Sequence, residues 1–74
     1  MEETKHEIIA QFGSLSTTPS GWTKEINLVS WNDSEPRYDI RKWSPDHSQM
    51  GKGISLSREE AEKLKEILVR CLPK

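Results

Sequence analysis

The sequence predicts an α+β domain: an antiparallel sheet of four strands followed by one C-terminal helix. Three observations carry that prediction. Four apolar-alternating runs are separated by turn chemistry rather than by helical stretches. The last 17 residues switch to helical spacing behind a capping signal. No parallel crossover interrupts the strands, and strands followed by a helix read as a sheet covered by a helix on one face.

The first run, His6 to Leu15, carries Ile8, Ile9, Phe12 and Leu15. It reads as a strand, although its spacing is irregular and also fits a short helix. "STTPSG", Ser16 to Gly21, breaks it with Pro19 and Gly21. "WTKEINLVSWN" is the second strand. Trp22, Lys24, Ile26, Leu28 and Ser30 share one parity, and Thr23, Glu25, Asn27, Val29 and Trp31 the other, so they point to opposite faces. Ile26 and Leu28 are expected in the core. Trp22 either caps the core edge or faces solvent. "NDSEP", Asn32 to Pro36, is a turn.

"RYDIRKW", Arg37 to Trp43, is the third strand, with Tyr38, Ile40 and Lys42 on one face and Arg37, Asp39, Arg41 and Trp43 on the other. "SPDHSQMG" is a polar loop, and "KGISLS" is a fourth strand with Ile54 and Leu56 inward. Ser57 and Glu60 then form a Ser-x-x-Glu capping box. Ala61, Leu64, Leu68, Cys71 and Leu72 make an apolar stripe widened by Ile67, and Pro73 ends the helix.

Size and composition bound the rest. Seventy-four residues make one small domain, with residues 1–5 as a flexible N-terminus and 6–74 as the folded unit. Apolar residues are 32% of the chain, and adding the four glycines still leaves it below the roughly 45–50% of an ordinary domain. So thin a core calls for a staple. The single cysteine cannot close an internal disulfide, and His6 and His47 lack metal-ligand spacing. Self-association is the staple that remains. No metal, cofactor or small-molecule substrate is expected. The chain carries no apolar run long enough to span a membrane and no secretory leader, so the expected compartment is the cytoplasm, at the nucleoid in a bacterium.

A catalytic role is not expected. "SPDH" reads as turn formers with a solvated histidine, and Cys71 as a small buried hydrophobe on the helix stripe. "GKG", Gly51 to Gly53, precedes a strand, unlike a phosphate loop, which precedes a helix. The three tryptophans are more informative. Trp31 and Trp43 share the parity opposite the aliphatic residues, and Arg41 shares that face. A helix covers only one face, so these rings meet a ligand or a partner, or stay exposed. Flat rings beside cations suit unpaired bases and their phosphates. They equally suit a protein interface. A net charge of −1 argues against a strongly basic nucleic-acid binder, unless charge is segregated by face.

"YDIRKW…GKGISLSREEAEKLKEIL" resembles the C-terminal domain of the eukaryotic transcriptional coactivator positive cofactor 4 and its small bacterial relatives. Asp39-Ile40-Arg41 and Lys52-Gly53-Ile54-Ser55-Leu56 match that family's strand motifs as they stand, from Tyr38 to Leu68 closely and back to Trp22 more loosely. Two departures are a lone Trp43 followed by Ser44, where the family has adjacent aromatics, and a longer "WNDSEP" turn. The resemblance implies a curved sheet and a homodimer whose two sheets form a groove for single-stranded DNA, with RNA a second candidate. It implies Trp31 and Trp43 as stacking residues, and Arg41 and Lys52 as backbone contacts. Lys24 and Arg37 are expected to add charge, with Glu25 and Asp39 orienting these cations or merely offsetting them. The resulting expectation is a non-enzymatic, single-stranded-DNA-binding protein serving transcription, repair or replication. The rival is a protein-interaction module that uses the tryptophan face without nucleic acid.

Overall fold

The computed structural model describes residues 5–73. Strands β1 (His6–Thr17), β2 (Thr23–Trp31), β3 (Arg37–Trp43) and β4 (Met50–Leu56) precede helix α1 (Arg58–Cys71). The strands pair antiparallel in the order β1-β2-β3-β4, giving the open, curved sheet and C-terminal helix that the sequence predicts. β4 starts two residues earlier than the apolar pattern indicates. Of the N-terminal segment expected to be flexible, only Lys5 lies within the described residues. Its backbone N–H donates to Asn32 Oδ1 and its carbonyl accepts from the Asn32 N–H, both at 2.9 Å.

β1 owes its irregular spacing to its pairing. The register slips between Ile8 and Ala10, between Gln11 and Gly13, and between Ser14 and Ser16. Each slip leaves one extra residue, Ile9, Phe12 and Leu15 in turn. Spacing of three is neither a strand's two nor a helix's 3.6, which explains why the sequence fits both. Bulges bend a strand and increase its twist, so β1 curls toward one face of the sheet.

That curl inverts the expected inside and outside. The residues with no exposure are Val29, Trp43, Asn27 and Asp39, all on the parity of Glu25 and Arg41. Ile26, Leu28, Ile40 and Leu56 are only half-buried, and Ile54 is 55% exposed. The sheet thus folds its tryptophan face inward and leaves its aliphatic face open. Phe12 reaches that open face and stacks on Tyr38 at 6.0 Å.

The helix covers little of it, meeting the sheet only along β3 and β4. Its start follows the sequence: Ser57 Oγ accepts from Glu60 N at 3.1 Å, and Glu60 Oε1 accepts from Ser57 N at 2.9 Å. No residue of α1 is buried. Ala61 and Leu64 are half-buried, whereas Ile67, Leu68, Cys71 and Leu72 are exposed. Cys71 is therefore not a buried hydrophobe in the single chain, because nothing among the described residues packs on the last turns of the stripe.

At Gly53 β4 runs hard against β3. A Cβ there would lie 2.2 Å from Arg41 Cβ and 2.3 Å from the Ile40 carbonyl oxygen. Only glycine lets β4 pair with β3 beside Arg41.

Candidate nucleic-acid interface

Asp39 and Arg41 are two apart on β3, so alternation puts them on one face. The Arg41 guanidinium grips the Asp39 carboxylate bidentately, Nε to Oδ1 at 2.7 Å and Nη2 to Oδ2 at 2.8 Å. Ser55 Oγ, opposite on β4, donates to Asp39 Oδ2 at 3.0 Å. The remaining guanidinium nitrogen reaches the Gly51 carbonyl and Met50 Sδ. So fixed, Arg41 lies 4.5 Å over the half-buried ring of Trp31. This is cation–π geometry, with a flat guanidinium held against a flat indole. Arg41 has thus spent most of its donors inside the chain, and its side chain is only 15% exposed.

Trp43 is on the same face but has no exposure. Its ring lies 5.3 Å from that of His6 and stacks on His47 at 5.6 Å. The expectation that Trp43 is off the core is corrected here: the curl of β1 and the 44–49 loop close over it. His47 is likewise not a solvated loop histidine. Its Nε2 lies 2.9 Å from Glu25 Oε2. Its backbone turns left-handed at φ 61° to bring the ring in. The loop is shaped by Asp46, whose carboxylate accepts from Ser48 N, Ser48 Oγ and Ser44 Oγ. Those hydrogen bonds, from Ser48 first, hold its pKa down to about 2.

Glu25 anchors the network from β2. Burial pushes its carboxyl up, but hydrogen bonds from Thr23, Asn27 and His47, with the charge of His47, outweigh burial and leave it below the ordinary value. Glu25 and Asp39 are thus integral to the folded face, and Asp39 orients Arg41 directly.

The other expected contacts fall in two places. Arg37 is exposed and lies 3.6 Å from Glu60, whose carboxyl is lowered by the backbone and side chain of Ser57 and then by Arg37. It lines a hollow with Trp31, Tyr38, Ser57 and Arg58. Lys24 is exposed on the opposite face of β2 from Trp31, and Lys52 is exposed between Gly51 and Gly53. The structure thus brings Trp31, Arg41 and Arg37 together, buries Trp43 beside them, and sets Lys24 on the other side. Sequence reasoning missed His6 and His47 as members of this face. Their partners are far away in the chain, and no local pattern marks them.

Residues 18–67 match the family model described as Transcriptional Coactivator p15 (PC4). The chain is also similar to an uncharacterised protein of Treponema pallidum (strain Nichols), 43% identical over 67 residues, covering 90% of this chain and 79% of that one. The matched span runs from the loop before β2 into α1 and takes in β2, β3, β4, Arg41 with its Asp39 anchor and the Gly53 crossing. This chain belongs to the transcriptional coactivator p15 (PC4) family.

Proposed function

We propose that this protein binds single-stranded DNA with little sequence preference, as a homodimer, and does no catalysis. The observation that carries the reading is the Arg41–Trp31 pair: a guanidinium fixed by Asp39 over a ring that is still partly open. Beside it, Arg37 and Arg58 line a hollow with Trp31 and Tyr38. A base can stack there while its phosphate meets charge. Family membership supports the same reading. Trp31 is the stacking residue, Arg37 and Arg41 serve the same strand from this face, and Lys24 and Lys52 add backbone charge. Trp43 acts from beneath, by supporting the face.

The homodimer rests on the other side of the sheet. Ile54, Ile67, Leu68 and Leu72 are all exposed in the single chain. A patch of this kind marks an interaction site, and a second copy of the same face and helix is its occupant. The processes served are transcription, repair or replication, in the cytoplasm. No described helix is long and apolar enough to cross a membrane.

Titrating oligo-dT, oligo-U and duplex DNA at several salt concentrations tests this. Single strands should bind better than duplex, because paired bases cannot offer their faces. Affinity should fall with salt at a slope of roughly −0.7 per phosphate contact. No binding to oligo-dT, or a flat salt dependence, would favour the protein-interaction alternative.

A further inference from the structure

His6 opens β1 directly opposite Trp31 on β2. Its ring lies 5.8 Å from the Trp31 ring and 5.3 Å from that of Trp43. His6 is exposed, whereas Trp31 and His47 are half-buried and Trp43 has no exposure. Of the four rings gathered on this face, an incoming ligand therefore meets His6 most openly. Trp31 is flanked by two flat nitrogen groups, the Arg41 guanidinium at 4.5 Å and the His6 imidazole. The nearby carboxylates are each engaged by another cation or histidine. Asp39 holds Arg41, Glu25 meets His47, and Asp33 lies 3.7 Å from Lys5. Glu7 alternates to the other face of β1, opposite Ser30. A charge gained by His6 would thus add to that of Arg41 beside the Trp31 ring.

We propose that His6 is a contact residue for the single strand, gripping the phosphate next to the base stacked on Trp31, and that acid strengthens binding through it. This rests on the single-strand reading above. A neutral imidazole offers one N–H and one acceptor nitrogen, which a phosphate oxygen repels. The protonated ring offers two donors and a positive charge. Histidine changes between these forms within the range of about pH 5 to 8. A bound phosphate favours the charged form, so by linkage the charged form favours the phosphate. His47 cannot serve in the same way, because its Nε2 is already 2.9 Å from Glu25 and its ring is stacked on Trp43. The second copy of the chain, placed on the other side of the sheet, leaves His6 open.

The test titrates oligo-dT, whose bases keep their charge state in this window, into the wild type, His6→Gln, His6→Arg and His47→Gln. Each is measured over several salt concentrations at about pH 8 and about pH 5.5, either side of the histidine transition. The wild type should bind severalfold tighter at the lower pH, with a salt slope steeper by about 0.7, the worth of one phosphate contact. His6→Gln should lose both changes. His6→Arg, charged throughout, should show the steeper slope already at the higher pH. His47→Gln should keep the wild-type response. A wild-type salt slope that is the same at both pH values overturns this proposal, as does a pH response that survives in His6→Gln. Either result leaves the single-strand reading standing, because the wild type still binds. Failure of the wild type to bind at either pH overturns both.

Discussion

The Arg41 guanidinium lies 4.5 Å above the Trp31 ring while two of its nitrogens hold the fully buried carboxylate of Asp39. One side chain therefore neutralises a buried carboxylate and lays its cation against the half-buried Trp31 ring, with only 15% of itself exposed. The two duties cannot be separated by deleting it.

Arg41→Ala should leave Asp39 buried and unpaired. Removing one partner of a buried ion pair costs about 3–5 kcal/mol, a large part of the stability of so small a domain. Denaturant unfolding should show a large drop in midpoint. The reading of Arg41 as a surface cation, removable without harm to the fold, predicts no drop. Arg41→Lys should recover only part, since an ammonium cannot reproduce the two-pronged grip.

The two tryptophans should part company. Trp43→Ala removes a fully buried ring and should cost about 3–5 kcal/mol of stability. Trp31→Ala should weaken oligo-dT binding by about 1–3 kcal/mol, the worth of one stacked base. Its salt slope should hardly change, because an indole releases no counterions. Paired thermal melts and titrations of both variants decide the matter. A stable Trp43→Ala would mean that the ring is not part of the core.

Acid should weaken the Glu25 network. The folded carboxyl titrates below its ordinary value of 4.5, so the folded state favours the ionised form. That stability is fully present above 4.5 and is lost as pH falls through the lower folded value. Thermal midpoints of the wild type and Glu25→Gln should differ most above pH 4.5 and converge on acidification. A gap that widens as pH falls would reverse the sign of this linkage.

Ile54→Asp should dissociate the proposed dimer. Ile54 is 55% exposed in the single chain and lies between Ile40 of the neighbouring strand and open solvent. Sedimentation equilibrium at micromolar concentration should give twice 8.5 kDa for the wild type and 8.5 kDa for the variant. A monomeric wild type would remove the homodimer from the proposed function.

The element order was legible in the sequence because each element has its own period and punctuation. β3 alternates without interruption, and Ser57 with Glu60 marks the start of α1 as the structure has it. Alternation also put Asp39, Arg41 and Trp43 on one face. What alternation cannot state is which face turns inward. Aliphatic residues suggested the face of Ile26 and Leu28, yet the bulges of β1 close the sheet around Trp43, Val29 and Asp39. The Glu25–His47 bond joins residues 22 apart through a left-handed turn. No local pattern announces such a pairing.

β1 has 12 residues where its partner β2 has nine, and the three left over are Ile9, Phe12 and Leu15. The bend of the sheet is thus written as a difference in length, much as a strip curls when bonded to a shorter one. A deletion at any of those three positions would change the outline of the molecule more than its chemistry. It would unroll the arc that carries His6 to both Trp31 and Trp43. Among relatives, the number of residues between His6 and Thr17 would then be a better gauge of how closed this face is than the identity of any one of them.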